Sequence, residues 1–380
     1  MVSRQSAVAR VVSAGCAALA LSVSAPAIAS TDNASVKVGD VRKAMAALVK
    51  SGHVVGAIGE VYVNGKRAGK GSAGSRLLDG DGGAIPSTAR YRIGSQTKNM
   101  TATAALQLVR SGELKLDDKL SELLPEVAEK DLVERADEIT VRDLIKQTSG
   151  IPDFLTPDID PLDSTVTYRP VDLLSASRKR QRPSEIGTFN YSNTNYILIG
   201  MIIEKLTGHS LATELKRRIF TPLGMRDTYL PVKAAEGIKG PHGHGYMVDE
   251  TGKVLDVDKL NATTMLGAGG VISTAHDISA FERAFVQGRL LPDSLSKVIT
   301  DPAPGQQPPP KGGLCEGNPS FQPRGGSAPG FVAVTYTSPD GKLQFAVSVT
   351  VAADDAERGG VGRRVDQALI SVFCPASAAG

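Results

Sequence analysis

Two residues three apart, Ser95 and Lys98 in Gly94-Ser-Gln-Thr-Lys98, have the types and spacing of a nucleophile and its base. A serine hydroxyl is a weak nucleophile until an adjacent group takes its proton. Positions i and i+3 share a helix face, with Cβ atoms about 5–6 Å apart, so the Lys98 amine can lie beside the Ser95 hydroxyl. A helix start adds positive potential, which favours an alkoxide and an unprotonated lysine. Ser-x-x-Lys is nevertheless common by chance. The chain holds it again at Ser294/Lys297, after Leu-Leu-Pro-Asp293. There it reads as the first turn of a surface helix with Asp293 or Ser294 as N-cap. Only the rest of the chain separates the two pairs.

Around Ser95 the elements follow from periodicity. Tyr91-Arg-Ile reads as a short extended run, and Asn99 to Arg110 as a long helix closed by Ser111-Gly112 with glycine at C′. Upstream, Val41, Met45, Leu48 and Val49 fall on one helical face. Val54 to Val63 and Lys66 to Ala73 read as strands joined at Asn64-Gly65, a hairpin signal. Downstream, Thr140 caps a helix over Val141 to Gln147, and further helices are predicted near Asp172 to Lys179, Asn195 to Leu206, 211–220 and Ala275 to Val286. Phe331 to Thr337 and Leu343 to Val351 form a second hairpin across Ser338-Pro-Asp-Gly341, and Gly362 to Phe373 is a closing helix. Strands at both ends of the chain fold most economically into one antiparallel sheet flanked by helices, with the helical middle as a second lobe. This is an α+β arrangement: sheet lobe at 36–92 and 262–375, helical lobe at 93–261, all in one domain over 30–380. The cleft between lobes is the expected ligand site. Tyr191-Ser192-Asn193 and Arg324-Gly325-Gly326-Ser327 can both reach it.

Composition bounds the function. The 380 residues are 41% hydrophobic and carry a net charge of +3, which is globular and speaks against a nucleic-acid surface. Arg4 and Arg10, the apolar run from Val11 and the Ala27-Ile28-Ala29 site read as a signal peptide over 1–29. The mature chain is then expected to be secreted and extracellular, with no membrane span. Removal takes away Cys16 and leaves Cys315 and Cys374, which in an exported chain read as one disulfide; two separate thiols are the alternative. His242-Gly-His244 lacks further ligands at useful spacing, so neither a metal nor a cofactor is expected. Tyr62-Val-Asn64 repeats the Tyr-x-Asn pattern, but its asparagine suits a turn. The run Arg178-Lys-Arg-Gln-Arg182 reads as a solvated loop.

Taken together, Ile93-Gly-Ser-Gln-Thr-Lys98, Leu144-Ile-Lys-Gln-Thr-Ser-Gly-Ile-Pro-Asp153, Tyr191-Ser-Asn193, Pro222-Leu-Gly-Met225, Gly267-Ala-Gly-Gly-Val-Ile-Ser-Thr274 and Gly325-Gly-Ser-Ala-Pro-Gly-Phe331 resemble the penicillin-recognising serine hydrolases. The branch is that of class C β-lactamases and secreted D-alanyl-D-alanine carboxypeptidases, and the likeness runs over roughly residues 40–374. It implies the β-lactamase/transpeptidase-like fold and an acyl-enzyme on Ser95. Lys98 would take the serine proton, Tyr191 would relay it to the leaving amine, and Asn193 would orient Lys98 and hold the substrate amide. The backbone N–H groups of Ser95 and Ser327 would form the oxyanion hole. Gly325 and Gly326 would flank the substrate. It further implies a monomer acting on a peptidoglycan stem peptide or a β-lactam. A β-lactamase or an esterase/amidase of the same fold, or a non-catalytic sensor, are the other readings.

Two positions depart from the family pattern. Arg324 stands where His or Lys is usual; arginine does not give up a proton, but it can clamp a carboxylate bidentately. Gln147 stands where His is frequent, and a structural role is expected for it. Tyr191 is expected to need cationic neighbours to lower a phenol pKa near 10.

Overall fold

In the computed structural model the first hairpin forms where Asn64-Gly65 predicts it. The structure describes residues 38–374 apart from 51, 81, 250, 308–320 and 354. The leader at 1–29 and Cys315 therefore lie outside the described residues. In chain order come α1 (Val41–Lys50), β1 (Val54–Val63), β2 (Lys66–Gly74), β3 (Tyr91–Arg92), a 3₁₀ turn (Gly94–Gln96) and α2 (Thr97–Ser111). The middle holds α3 (Leu120–Leu123), α4 (Pro125–Glu129), α5 (Val141–Lys146), α6 (Pro170–Arg178), α7 (Thr194–Thr207), α8 (Leu211–Leu215) and a π turn (Lys216–Phe220). Then follow β4 (Tyr246–Val248), β5 (Val254–Asp256), α9 (Leu266–Gly269), β6 (Ile272–Ser273), α10 (Ala275–Val286) and α11 (Asp293–Thr300). The end is β7 (Gln322–Ala328), β8 (Phe331–Thr337), β9 (Leu343–Ala353) and α12 (Asp355–Phe373).

The two terminal hairpins build one antiparallel sheet in the order β2-β1-β9-β8-β7. At the Asn64-Gly65 turn both φ values are positive, 50° and 76°, which matches the right-handed twist of the flanking strands. Side chains alternate across the sheet. Ala57, Val61, Phe345, Val347 and Val349 meet Met45 of α1 and Leu369 of α12 on one face. Ile58, Ala333 and Ala346 meet the cluster that contains Phe281 of α10 on the other. Both central strands are therefore buried on both sides and read as nearly unbroken apolar runs.

Three features differ from expectation. β4 and β5 pair with each other and, through Tyr246 and Met247, with the end of β9. Residues inside the 93–261 span thus join the sheet, and that span is not all helical. β7 is a full strand paired along β8, although Gln322 to Ser327 carries none of the usual β-formers. The N-cap of α11 is Pro292 rather than Asp293 or Ser294.

α2 is the axis of the helical side. Met100, Leu106 and Leu108 are fully buried, and each such side chain contributes about 1.5–3 kcal/mol. Its buried hydroxyls are all spoken for: Thr97 Oγ1 accepts from Val271 N–H at 3.1 Å, and Thr101 donates to Gly267 O at 2.9 Å. Gly112, left-handed at φ 81°, closes it. Among the described residues, no helix is long and apolar enough to cross a membrane.

Candidate active site

Ser95 sits in the 3₁₀ turn that feeds α2, one turn earlier in type than a plain α-helical start. Gly94 makes this possible at φ 53°. A Cβ there would stand 2.5–2.8 Å from backbone atoms of Ser327, and one on Gly326 would stand 2.1 Å from Ile93 O and 2.7 Å from Ser95 N. The turn and β7 thus touch backbone to backbone, which only glycine at both positions permits. Thr335 on β8 locks the arrangement by donating to Gln96 Oε1 at 2.8 Å. The backbones of Ser95 and Ser327 consequently stand side by side where the turn meets β7. Gly325 is different: nothing lies within 4 Å of its would-be Cβ, and the space beside it is open.

Lys98 is 6% exposed and hydrogen-bonded on three sides. Its Nζ lies 3.1 Å from Ser95 Oγ, 2.8 Å from Asn193 Oδ1 and 2.6 Å from Ala268 O. Burial lowers its pKa to about 7, against an opposing pull from the Asp153 carboxylate. Tyr191 OH is 2.7 Å from Ser95 Oγ, and Lys98 Nζ lies 4.8 Å from the Tyr191 ring centre. Although 47% of Tyr191 is exposed, its hydroxyl end lies in the cleft, where desolvation raises its pKa; the Ser95 bond pulls down and Asp153 adds to the rise. The expectation of a tyrosine lowered by cations is corrected here. The poised group in the free protein is the lysine.

Asn193 stands at the N-cap position of α7 yet makes no capping bond with its side chain. Instead its Oδ1 faces Lys98, and its Nδ2 donates to Asp153 Oδ2 at 2.8 Å. Sequence reasoning quoted Asp153 within a motif but gave it no role. Gln147 holds this segment structurally, as expected. Its Oε1 accepts from Ser192 N–H at 3.1 Å and from Asn195 Nδ2.

Ser95, Lys98, Gln147 and Tyr191 line a cleft of about 360 Å³, together with Tyr196, Val298 and Ile299 of α11, Arg324 and Gly325. Arg324 makes no hydrogen bond or ion pair among the described residues, and its charge acts on Tyr196 and on Glu282. Glu282, 1% exposed on α10, has its pKa raised by burial, partly offset by Arg324 and a hydrogen bond with Asn99.

Other sequence candidates fall elsewhere. Ser294 and Lys297 are exposed on α11, and Asn64 lies in the hairpin turn. Cys374 is buried near the end of α12, with its expected partner outside the described residues. The basic run is no free loop: Arg178 pairs with Asp131, Lys179 with Asp158, Arg180 donates to Asp153 O, and Arg182 to Ser149 O and Glu134 O. His242 and His244 do find a third neighbour, Asp258, with ligand atoms within 4.8 Å of one another. His242 Nδ1 faces Gly240 O at 2.5 Å and its Nε2 lies 3.0 Å from Asp258. Burial works to lower the His242 pKa, but bonds to Asp258 and Gly240 outweigh it and raise it. Arg92 donates to the backbone carbonyl of Asp258 and Arg76 to that of His242, so the contact between the histidine and the aspartate is held from both sides.

Comparison with known proteins agrees with this geometry. A family profile described as Beta-lactamase matches residues 41–369. Penicillin-binding protein 4 of Amycolatopsis lactamdurans is 31% identical over 241 residues, 63% of this chain and 62% of that one. Penicillin-binding protein 4* of Bacillus subtilis (strain 168) is 28% identical over 225 residues, 56% of this chain and 48% of that one. The matches thus span less than two thirds of these relatives' own length. Among solved structures, a D-stereospecific amidohydrolase from Streptomyces sp. superposes with TM-score 0.72 at 28% identity, covering 88% of this chain and 98% of that one. With Ser95, Lys98 and Tyr191 lining one cleft of this fold and Asn193 bonded to Lys98, the chain belongs to the beta-lactamase family of penicillin-recognising serine hydrolases.

Proposed function

We propose that this protein is a secreted, monomeric serine D-alanyl-D-alanine carboxypeptidase that acts on peptidoglycan stem peptides and is acylated by β-lactams. The observation that carries the reading is Arg324, a cation with no hydrogen-bond or ion-pair partner among the described residues, beside Gly325 in the cleft lining and fit for a substrate's terminal carboxylate.

The chemistry follows from the protonation states. With a pKa of about 7, a large share of Lys98 is a free amine at neutral pH. As Ser95 Oγ bonds to the substrate carbonyl carbon, its proton passes to Lys98 Nζ. The oxyanion is met by the N–H groups of Ser95 and Ser327. The C–N bond then breaks, and the Tyr191 hydroxyl gives its proton to the leaving amine. The resulting phenolate is balanced by the Lys98 ammonium beside its ring. Deacylation runs in reverse: Tyr191 takes a proton from water, the hydroxide attacks the ester, and Lys98 returns its proton to Ser95.

A second reading, a D-amino-acid amidase, draws support from the likeness to the D-stereospecific amidohydrolase. Such substrates carry no terminal carboxylate, so Arg324 decides. Arg324→Leu is expected to raise KM for D-Ala-D-Ala peptides by about 10²-fold and to leave D-amino-acid amides unchanged. Release of D-Ala by the wild type, together with a benzylpenicillin adduct in the intact mass that Ser95→Ala lacks, tests the main reading. No adduct and no D-Ala would sink it, and would favour a binding or sensor protein if amides are also untouched.

A further inference from the structure

Asp153 takes part in no step above, yet three hydrogen bonds converge on its carboxylate. Oδ2 accepts from the backbone N–H of Asn193 at 2.9 Å and from its side-chain Nδ2 at 2.8 Å. Oδ1 accepts from Leu155 N–H at 2.9 Å. The loop that carries Asp153 is itself pinned. The hydroxyls of Ser177, Ser192 and Thr194 all donate to Pro152 O, at 2.5, 3.1 and 2.8 Å. Arg180 donates to Asp153 O and Arg182 to Ser149 O.

The two ends of a primary amide are nearly alike in shape, so packing alone does not choose between them; hydrogen-bond partners do. An ionised carboxylate only accepts, so the end of Asn193 that meets Asp153 must be its NH₂. Its Oδ1 is then turned to Lys98. Lys98 Nζ therefore faces two groups that can only accept, Asn193 Oδ1 and Ala268 O. A neutral amine has two N–H bonds and one lone pair. With both N–H bonds directed to those oxygens, the lone pair is left for Ser95 Oγ at 3.1 Å. A flipped Asn193 amide would present NH₂ to Lys98 and draw the lone pair away from the serine.

We propose that Asp153 is a positioning residue that, by fixing the orientation of the Asn193 amide, aims the lone pair of Lys98 at Ser95. The proposal rests on the reading of Lys98 as the base, but not on any particular substrate. Asp153 is not among the residues lining the cleft, so it acts through Asn193. Its charge also bears on Lys98, opposing the larger effect of burial. The other charged or titratable groups on this side are the phenols of Tyr191 and Tyr196, within 4.8 and 5.7 Å of Nζ from their ring centres. The charge of Arg324 acts on Tyr196 and on Glu282.

An alkyl fluorophosphonate, which reacts with any activated serine and releases fluoride, reads this arrangement without a substrate. Labelling rates by intact mass would be taken for wild type, Asp153→Ala, Asp153→Asn, Asn193→Ala and the Asp153→Ala/Asn193→Ala pair, with thermal melts alongside. Asp153→Ala is expected to slow labelling on the order of 10²-fold. In the Asn193→Ala background it should change the rate by no more than about threefold, since the residue it acts through is gone. Asp153→Asn should move the acid limb of the labelling profile to lower pH, because the lost charge no longer holds the Lys98 pKa up. A purely structural role would move the melting temperature without moving that limb. Equal labelling of Asp153→Ala and wild type, equal slowing in both backgrounds, or an unmoved limb in Asp153→Asn would each overturn the proposal. Should Asp153→Ala not fold, the limb of Asp153→Asn decides. A wild type that labels with fluorophosphonate but neither binds penicillin nor releases D-Ala would defeat the carboxypeptidase reading and leave this one standing.

Discussion

Gly326→Ala tests whether the backbone contact between β7 and the Ser95 turn builds the oxyanion site. The new Cβ would lie 2.1 Å from Ile93 O, 2.7 Å from Ser95 N and 3.0 Å from Gln96 N. All three are backbone atoms, so no side-chain rotation relieves the clash. Contacts under 3.0 Å are essentially never tolerated, so either β7 or the turn must retreat by about 1 Å. Overpacking of this kind costs about 1–3 kcal/mol of stability. The larger effect falls on chemistry. Donors serve an oxyanion at about 2.7–3.1 Å, and loss of one such donor slows acylation by about 10²–10³-fold. A 1 Å shift moves Ser327 N–H relative to Ser95 N–H and removes one of the pair. The assay is acylation by benzylpenicillin, timed by intact mass, beside a thermal melt. Gly325→Ala is the control: with nothing within 4 Å of its Cβ, it should melt as wild type. Acylation of Gly326→Ala within about tenfold of wild type would refute the reasoning.

Three further outcomes are expected. Acylation should rise with pH through about 7, as Lys98 loses its proton, and a profile flat from about pH 5 to 9 would remove Lys98 as base. The same pKa shift makes stability pH-dependent. Between about 7 and the ordinary 10.5 the unfolded chain holds a proton on Lys98 that the folded chain does not, so stability rises with pH across that window. Relative to Lys98→Met, the wild type should therefore gain about 2–3 kcal/mol from pH 7 to 9 in denaturant titrations, and parallel curves would contradict this. Finally, if Cys315 and Cys374 are paired, the mature chain should take up iodoacetamide only after reduction, with two groups added by mass. Uptake under native oxidising conditions after denaturation would show separate thiols.

What the sequence disclosed, and what it hid, divides along local and non-local causes. Asn64-Gly65 announces its turn because both residues tolerate positive φ, and Gly112 announces the end of α2 for the same reason. The capping box of Thr140 and Asp143 likewise needs only four consecutive residues. β7 has no such local signal. Arg324-Gly-Gly-Ser327 becomes a strand because β8 offers it a ladder and because two glycines let it press on the Ser95 turn. β4 and β5 are three residues each, and their place in the sheet depends on the end of β9 about a hundred residues later. Of the site, Ser95, Lys98, Tyr191 and Asn193 were legible because their spacing is itself the motif. Asp153 was not, since its meaning comes from the far side of α7's start. Asp258 escaped notice beside His242 for the same reason.

The protonation pattern is the deeper result of this geometry. A site with histidine opposite the serine would hold two groups that titrate near neutrality. Here the facing wall carries Arg324, whose charge is fixed. Proton movement is thereby confined to Lys98 and Tyr191, and of these only the lysine is brought near 7. Burial supplies that shift, while Asp153 limits how far it goes. The same carboxylate that orients Asn193 therefore also keeps Lys98 from becoming too weak a base, since a pKa far below the working pH would leave it little driving force to take the serine proton. Orientation and basicity are set by one group, on a loop that six hydrogen bonds from neighbouring hydroxyls, arginines and the Asn193 backbone hold in place.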